Sequence, residues 1–98
     1  MRYAFKSNKL QRLHETEEGS DAYPPEVVAQ FFRAVDIIAT ARDIRDIRAF
    51  TALRLEKLKG RRRNQHSLRL NRQWRLIIEL KKQADGTVIW ILEIVDYH

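Results

Sequence analysis

Apolar residues recur at helical spacing through the first half of the chain and alternate with polar residues through most of the second half. The most regular helix follows Pro24 and Pro25, since a missing proline N–H costs nothing in a first helical turn. This helix carries an apolar stripe, which is typical of a face packed into a core. The stripe consists of Val28, Phe31, Val35 and Ile38.

Two shorter helices are predicted on either side of this one. Ser7 is a predicted N-cap, because its hydroxyl can accept a hydrogen bond from an N–H of the first turn. Leu10 and Leu13 share one face of the helix that follows, which ends before Gly19. Residues 43–50 predict one or two further helical turns.

Strands are predicted at the start of the chain and from residue 53 onward, where the apolar period becomes two. The last strand is apolar almost throughout, so it is expected to be central and covered on both faces. Turns are predicted at Gly60, at residues 71–73 and at Asp85–Gly86. The strands are Tyr3–Phe5, Leu53–Leu55, Ser67–Leu70, Trp74–Lys81 and Val88–Val95. All these elements are expected to form a single domain of residues 1–98.

The turn at residues 71–73 indicates how its two strands pair. A three-residue loop places Leu68 opposite Leu76 and leaves one apolar face for the helices. The same register places Arg69 opposite Arg75 on the other face, where two neighbouring guanidinium groups favour an anion between them. A two-residue loop would pair leucines with arginines, which burial disfavours.

The hairpin at Asp85–Gly86 leaves two registers open. One register keeps Glu93 off the core and puts Arg75, Glu93 and Tyr97 on the same open face. A strict two-residue turn at Asp85–Gly86 reverses this parity.

Charge indicates a class of partner. The chain has a formal net charge of +6, and residues 1–50 contribute none of it, with 8 Lys and Arg against 8 Asp and Glu. Residues 51–98 carry 11 Lys and Arg against 5 Asp and Glu. Positive charge concentrated in one part of a domain indicates a polyanion, RNA in particular, as the partner. A solvated basic surface would give the same count.

Composition also excludes several classes of protein. Cysteine is absent, which excludes disulfides, thiolate metal sites and cysteine nucleophiles. No apolar run approaches the roughly 20 residues that span a bilayer, and the first residues lack the apolar segment of a secretion signal. The chain is therefore expected to be soluble and cytoplasmic.

Five cations surround Gly60 at the start of the basic half. They would repel one another unless an anion lay between them, and strand arginines lie nearby in the sequence. We therefore predict a phosphate-binding surface here, with a flexible basic loop or an address signal as alternatives. The cluster is Lys57, Lys59, Arg61, Arg62 and Arg63.

The chain ends in a tripeptide with catalytic side chains, Asp96-Tyr97-His98. A histidine transfers protons near neutral pH, an adjacent carboxylate can orient it, and a tyrosine can stack on an exposed base. A frayed tail is the alternative. His66, beside the basic cluster, could contact RNA, whereas His14 is predicted to be structural. No pair of histidines has metal-ligand spacing, so no metal is predicted.

Four segments, taken in order, resemble the HigB branch of the RelE superfamily, the toxins of bacterial type II toxin–antitoxin systems. The resemblance implies an α+β fold, in which N-terminal helices pack on a small twisted, mainly antiparallel sheet. It also implies ribosome-dependent endonuclease activity on mRNA in the A site. The segments are Leu55-Glu56-Lys57-Leu58-Lys59-Gly60, Ser67-Leu68-Arg69-Leu70-Asn71, Gln73-Trp74-Arg75-Leu76 and Asp96-Tyr97-His98.

The resemblance assigns roles to individual residues. Lys59 and Arg75 would stabilise the phosphate, and His98 would act as an acid or base. Glu56 stands where some members have a histidine, so it is the candidate second proton-transfer group. The full catalytic set is Glu56, Lys59, Arg75, Asp96, Tyr97 and His98. The predicted RNA-binding residues are Lys57, Arg61, Arg62, Arg63, His66 and Arg69.

These residues suit one reaction in particular. An RNA 2′-hydroxyl can attack its own 3′-phosphate with a base, cations and an acid, so no metal or cofactor is predicted. In this scheme Tyr97 would hold the base or its sugar, and Asp96 would orient His98. Two alternatives remain, a gyrase-binding toxin of the ParE branch and an inert relative that only binds an antitoxin.

The resemblance also implies partners. A free toxin would be lethal, so a HigA-like antitoxin with a helix-turn-helix domain is expected, and operator DNA only through that antitoxin. The first half of the chain has no net charge, and its acidic loop Glu15–Asp21 is the expected docking side. The ribosome and mRNA are the other expected partners, and no membrane is.

Overall fold

The structure, a computed structural model, describes residues 1–62 and 64–96. Within these ranges three α-helices pack on one five-stranded sheet, which confirms the α+β class. None of the helices in the described ranges is long and apolar enough to cross a membrane. The helices are α1 (Asn8–Thr16), α2 (Pro25–Thr40) and α3 (Ile44–Arg48), and the strands are β1 (Arg2–Phe5), β2 (Glu56–Lys57), β3 (Gln65–Arg69), β4 (Trp74–Gln83) and β5 (Gly86–Asp96).

The helices begin where their capping residues predict. The Ser7 hydroxyl accepts a hydrogen bond from the Leu10 N–H at 3.2 Å, and Pro25 is the first residue of α2. Asp43 caps α3 by accepting from the Arg45 N–H at 2.9 Å. A side-chain hydrogen bond from the same arginine, with a second from its backbone, lowers the pKa of Asp43 to about 2. The buried face of α2 includes the whole predicted stripe, Val28, Phe31, Val35 and Ile38.

The sheet has the strand order β1-β5-β4-β3-β2. β1 is parallel to β5, and the other neighbours are antiparallel. The predicted register of the hairpin at residues 71–73 is confirmed, because Leu68 lies opposite Leu76 and Arg69 opposite Arg75. The face toward the helices completes the core with Leu68, Leu76, Ile78, Ile89 and Ile91, all fully buried.

The predicted strand at Leu53–Leu55 is wrong. Residues Thr51–Leu53 form a 3₁₀ turn, and Leu53 reaches the core from this turn. Arg54 then takes a left-handed backbone conformation, with φ of 45°, which no strand accommodates. Pairing starts only at Glu56, and β2 has two residues.

A β-bulge in β5 decides between the two registers left open. Gln83 lies opposite Gly86, so the connecting turn has two residues, and regular pairing from it would put Glu93 on the helix side. Leu92 is an extra residue, inserted between Ile91, which pairs with Ile78, and Glu93, which pairs with Ile77. The insertion returns Glu93 to the face away from the helices.

Candidate nucleic-acid interface

The sheet face that points away from the helices carries most of its polar side chains, and we call it the outer face. Strand alternation assigns residues to it, because their neighbours in each strand point into the core. The outer face includes Glu56, Gln65, Ser67, Arg69, Arg75, Ile77, Glu79, Lys81, Val88, Trp90, Glu93 and Val95.

Two arginines lie side by side on this face. Arg69 and Arg75 are Cα partners across β3 and β4, so their Cα atoms are about 5 Å apart. The Arg75 Nη1 donates to the backbone oxygens of Asn71 at 2.8 Å and Trp74 at 3.1 Å. The turn that supplies these oxygens is itself fixed, because the Asn71 Oδ1 accepts from the N–H groups of Gln73 and Trp74. One guanidinium of the pair is thus oriented by the backbone before any ligand binds.

The side chain of Arg62, in the connection between β2 and β3, crosses part of the outer face. Gly60 has a φ of 69°, which lets the chain turn there. The Arg62 Nε donates to the Gln65 Oε1 at 3.0 Å, and its Nη2 lies 3.7 Å from the Glu93 Oε2. The Arg62 side chain therefore spans from β3 to β5 above β4. Ile77 lies on β4 between these two strands, and it is completely buried although it points away from the helices.

Glu56 is brought to the same face as the arginine pair. It lies opposite Ser67, two residues along β3 from Arg69. Two strand spacings and two residues of rise put its Cα about 12 Å from that of Arg75. Lys59 is exposed in the loop that follows β2. Glu56 therefore shares the outer face with Arg69 and Arg75, and the loop that carries Lys59 begins beside it.

The end of β5 lies beside this surface. Asp96 lies opposite Trp74, so strand alternation places it on the helix side of the sheet rather than on the outer face, and its Oδ2 accepts from the Gln73 Nε2 at 3.1 Å. The same hairpin thus positions both Arg75 and Asp96. The predicted site residues Arg63, Tyr97 and His98 lie outside the described residues.

Two predicted RNA-binding residues are on the other side of the sheet. His66 pairs with Ile78 and Lys57 pairs with His66, so both side chains point toward the helices. His66 is buried, and its Nδ1 has no hydrogen-bond partner in the described part of the chain. Burial lowers the pKa of His66, and the nearby charges of Lys57 and Arg48 lower it further. These two residues are not brought together with Arg69 and Arg75.

A second feature of the outer face was not predicted. Beyond Glu79 the face continues into a concavity of about 310 Å³ whose wall includes Trp90 and Lys81. The signal was present in the sequence, because Trp90 stands between two isoleucines of a buried strand and must point away from them. Among the residues that the structure describes, no group of three His, Asp or Glu could hold a metal ion.

Comparison with known proteins gives a consistent result. The family model of HigB-like toxins, described as "RelE-like toxin of type II toxin-antitoxin system HigB", matches residues 3–98. Toxin HigB-1 of Vibrio cholerae serotype O1 is 29% identical over 79 residues, which cover 81% of this chain and 83% of that protein. The YoeB/ParE toxin from Agrobacterium tumefaciens superposes with a TM-score of 0.59 over 100% of both chains. At 12% identity, this last likeness concerns the fold.

Proposed function

This chain belongs to the RelE-like HigB toxins of type II toxin–antitoxin systems, and we propose that it cleaves mRNA on the ribosome and so inhibits translation. The observation that carries the proposal is the outer face, where Arg69 and Arg75 lie side by side with Glu56 on the same surface. Neighbouring guanidinium groups suit the oxygens of a phosphodiester.

The proposed reaction needs no external nucleophile. The 2′-oxygen of a ribose attacks the adjacent phosphorus, and the bond from phosphorus to the next 5′-oxygen breaks. A base removes the proton of the 2′-hydroxyl, and an acid protonates the leaving 5′-oxygen. The products are a 2′,3′-cyclic phosphate and a 5′-hydroxyl.

Arg75 is the proposed main stabiliser of the charge that develops on the phosphate. Its guanidinium is already held by two backbone oxygens, so little reorganisation is needed as the reaction proceeds. Arg69 is its neighbour, and Lys59 is exposed in the loop beside the face. This arrangement supports roles for all three cations in binding the scissile phosphate.

Proton transfer is assigned to the end of the chain and to Glu56. His98 is the proposed acid or base, with Asp96 orienting it and Tyr97 holding the base or sugar. The anchoring of Asp96 by Gln73 supports this, because it brings the end of β5 to the hairpin that holds Arg75. Glu56 is the proposed second proton-transfer group.

The site has few groups for a self-sufficient nuclease. The outer face is open, and none of the helices in the described ranges lies over it to enclose a substrate. Positioning of the RNA by the ribosome would replace a binding cleft, since correct orientation alone can contribute a large share of a rate enhancement. This is the reason to expect activity on translating ribosomes.

Family membership implies an antitoxin partner. We propose that this partner is a HigA-like helix-turn-helix protein and that it docks on the helix side of the fold. The acidic segment Glu15–Asp21 is largely exposed there, and a concavity of about 570 Å³ lies between this segment and α2, with Tyr23 and Phe32 in its wall. Docking at this place would leave Arg75 and the outer face uncovered.

The test is cleavage of a defined message on purified ribosomes. Primer extension should map cuts that need both the protein and the ribosome. A second message with a 2′-deoxynucleotide at the mapped position should stay whole, because it lacks the attacking oxygen. Inhibition of gyrase supercoiling without any cut would instead assign the chain to the gyrase-binding class.

A further inference from the structure

Trp90 lies on the outer face, at a distance from the arginine pair. Its neighbours Ile89 and Ile91 are both fully buried in the helix-side core, so the indole points the other way. It lies opposite Glu79 in β4 and is only half-buried. A large aromatic ring is thus presented on the same surface as Arg75.

Two lysines and one carboxylate line the concavity beside this indole. The concavity beside it is lined by Lys6, Glu79, Lys81, Gln83 and Trp90. The Lys81 Nζ lies 3.2 Å from the Glu79 Oε1, so the carboxylate in the wall is neutralised. Lys6 forms no ion pair with any residue of 1–62 or 64–96. The concavity therefore combines an aromatic surface with a net positive charge.

We propose that this concavity, the Trp90 platform, binds a base of a single-stranded RNA segment. The proposal rests on the proposed function, because it takes this RNA to be part of the strand or assembly whose phosphate lies at Arg75. Stacking on an aromatic side chain combined with lysines along the backbone is how proteins hold single strands without reading sequence. Trp90 would thus help to position the RNA, whatever base it carries.

The geometry sets which nucleotide would reach the platform. Glu79, opposite Trp90, is four residues along β4 from Arg75, and one strand spacing separates β4 from β5. Together these give a Cα separation of about 14 Å between Trp90 and Arg75. At a stacked rise of roughly 3.4 Å, this corresponds to about four nucleotides, and to fewer in an extended strand. Arg62, which spans from β3 to Glu93, lies between the two positions.

The experiment uses the indole as its own reporter. The chain has two tryptophans, and Trp74 packs edge-on against Tyr23 on the helix side. In a Trp74→Phe background the fluorescence reports on Trp90 alone. Titration with a short single-stranded RNA should quench this fluorescence, and added salt should weaken the binding.

Substitution at the platform then measures the stacking. Trp90→Leu should weaken RNA binding about 5- to 150-fold, the effect of losing one base stack. Trp90→Phe should restore most of the affinity, since it keeps an aromatic face. Phe50→Leu is the matched control, because it removes an exposed ring elsewhere on the surface. Thermal unfolding of each variant would verify that the fold is kept.

Cleavage on ribosomes separates the sources of the base. If mRNA supplies it, Trp90→Leu should raise KM on a full message and have no effect on a message truncated on one side of the cut. If ribosomal RNA supplies it, the rise should persist on every message. Unquenched fluorescence, together with unchanged RNA affinity in Trp90→Leu, would overturn the platform and leave the nuclease proposal standing. RNA binding through Trp90 without any cleavage by the wild type would support the platform and refute the nuclease proposal.

Discussion

Replacing Arg75 separates its part in catalysis from its part in folding. Arg75 donates two hydrogen bonds to the turn at Asn71–Trp74, and its side chain is only half-buried. A hydrogen bond from a charged group contributes about 1.5–3 kcal/mol when shielded and less when solvated. Because both bonds share one nitrogen and partly face water, we expect Arg75→Ala to cost about 1–2 kcal/mol of unfolding free energy.

This cost translates into a measurable shift. A domain of this size loses roughly 4–8 °C of Tm for each kcal/mol, so Arg75→Ala should melt about 4–16 °C below the wild type. Cleavage should fall far more, by about 10²–10³-fold, the usual effect of removing one preorganised donor to a developing anion. The assay is single-turnover cleavage on programmed ribosomes at a temperature where circular dichroism shows the variant folded.

Arg69→Ala is the matched control. Arg69 lies beside Arg75 on the same face and in the adjacent strand. We expect its replacement to weaken RNA binding while leaving the Tm within about 4 °C, since replacing a half-buried side chain outside the core usually changes the free energy of unfolding by no more than about 0.5 kcal/mol. If folded Arg75→Ala cleaved within about threefold of the wild type, the assignment of this arginine to the phosphate would be refuted.

Three further outcomes are expected. Arg61→Ala combined with Arg62→Ala should flatten the slope of log affinity against log salt by about 0.7–0.9 for each phosphate that these residues no longer neutralise. An unchanged slope in a filter-binding titration would show that neither residue binds phosphate. Deletion of His98 should slow cleavage about 10²–10⁴-fold while co-purification with the antitoxin persists, and cleavage at the wild-type rate would move proton transfer elsewhere. Because the pKa of His66 is lower in the folded protein, the unfolded chain binds a proton at a higher pH than the folded chain does. The free energy of unfolding should therefore fall as the pH drops from about 6.5 through the lower pKa of the folded state. Urea midpoints at about pH 7.5 and pH 5 should show less of this loss in His66→Leu, and an equal loss would locate the acid sensitivity at other groups.

The helices and one hairpin could be predicted from the sequence because local signals determine them. Ser7 marks the start of α1 because it caps that helix, and Pro25 marks the start of α2 because it suits a first helical turn. The register of the hairpin at residues 71–73 followed from burial, since only one loop length put the leucines together, and it gave the pairing of Arg69 with Arg75.

The errors have physical reasons too. Alternation over three residues at Leu53–Leu55 does not distinguish a strand from a turn that buries one leucine, and here a turn formed. The parallel pairing of β1 with β5 joins residues more than 80 positions apart, which no local pattern reports. His66 lies away from the predicted RNA side, because the alternation that buries Leu68 places His66 on that same buried face.

Because of the bulge at Leu92, β5 has one residue more than regular pairing with β4 requires. Regular pairing from the turn at residues 84–85 reaches Ile91, and the residue after Leu92 resumes pairing as if Leu92 were absent. A shorter strand, lacking one residue at this point, would close the bulge and leave Glu93 and Asp96 facing as they do now. Deletion of one residue here would therefore leave the remaining pairs in register. Insertion of one residue would need a second bulge or would move the side chains that follow to the opposite face of the sheet. Among relatives, we therefore expect deletions in this strand to be more frequent than insertions.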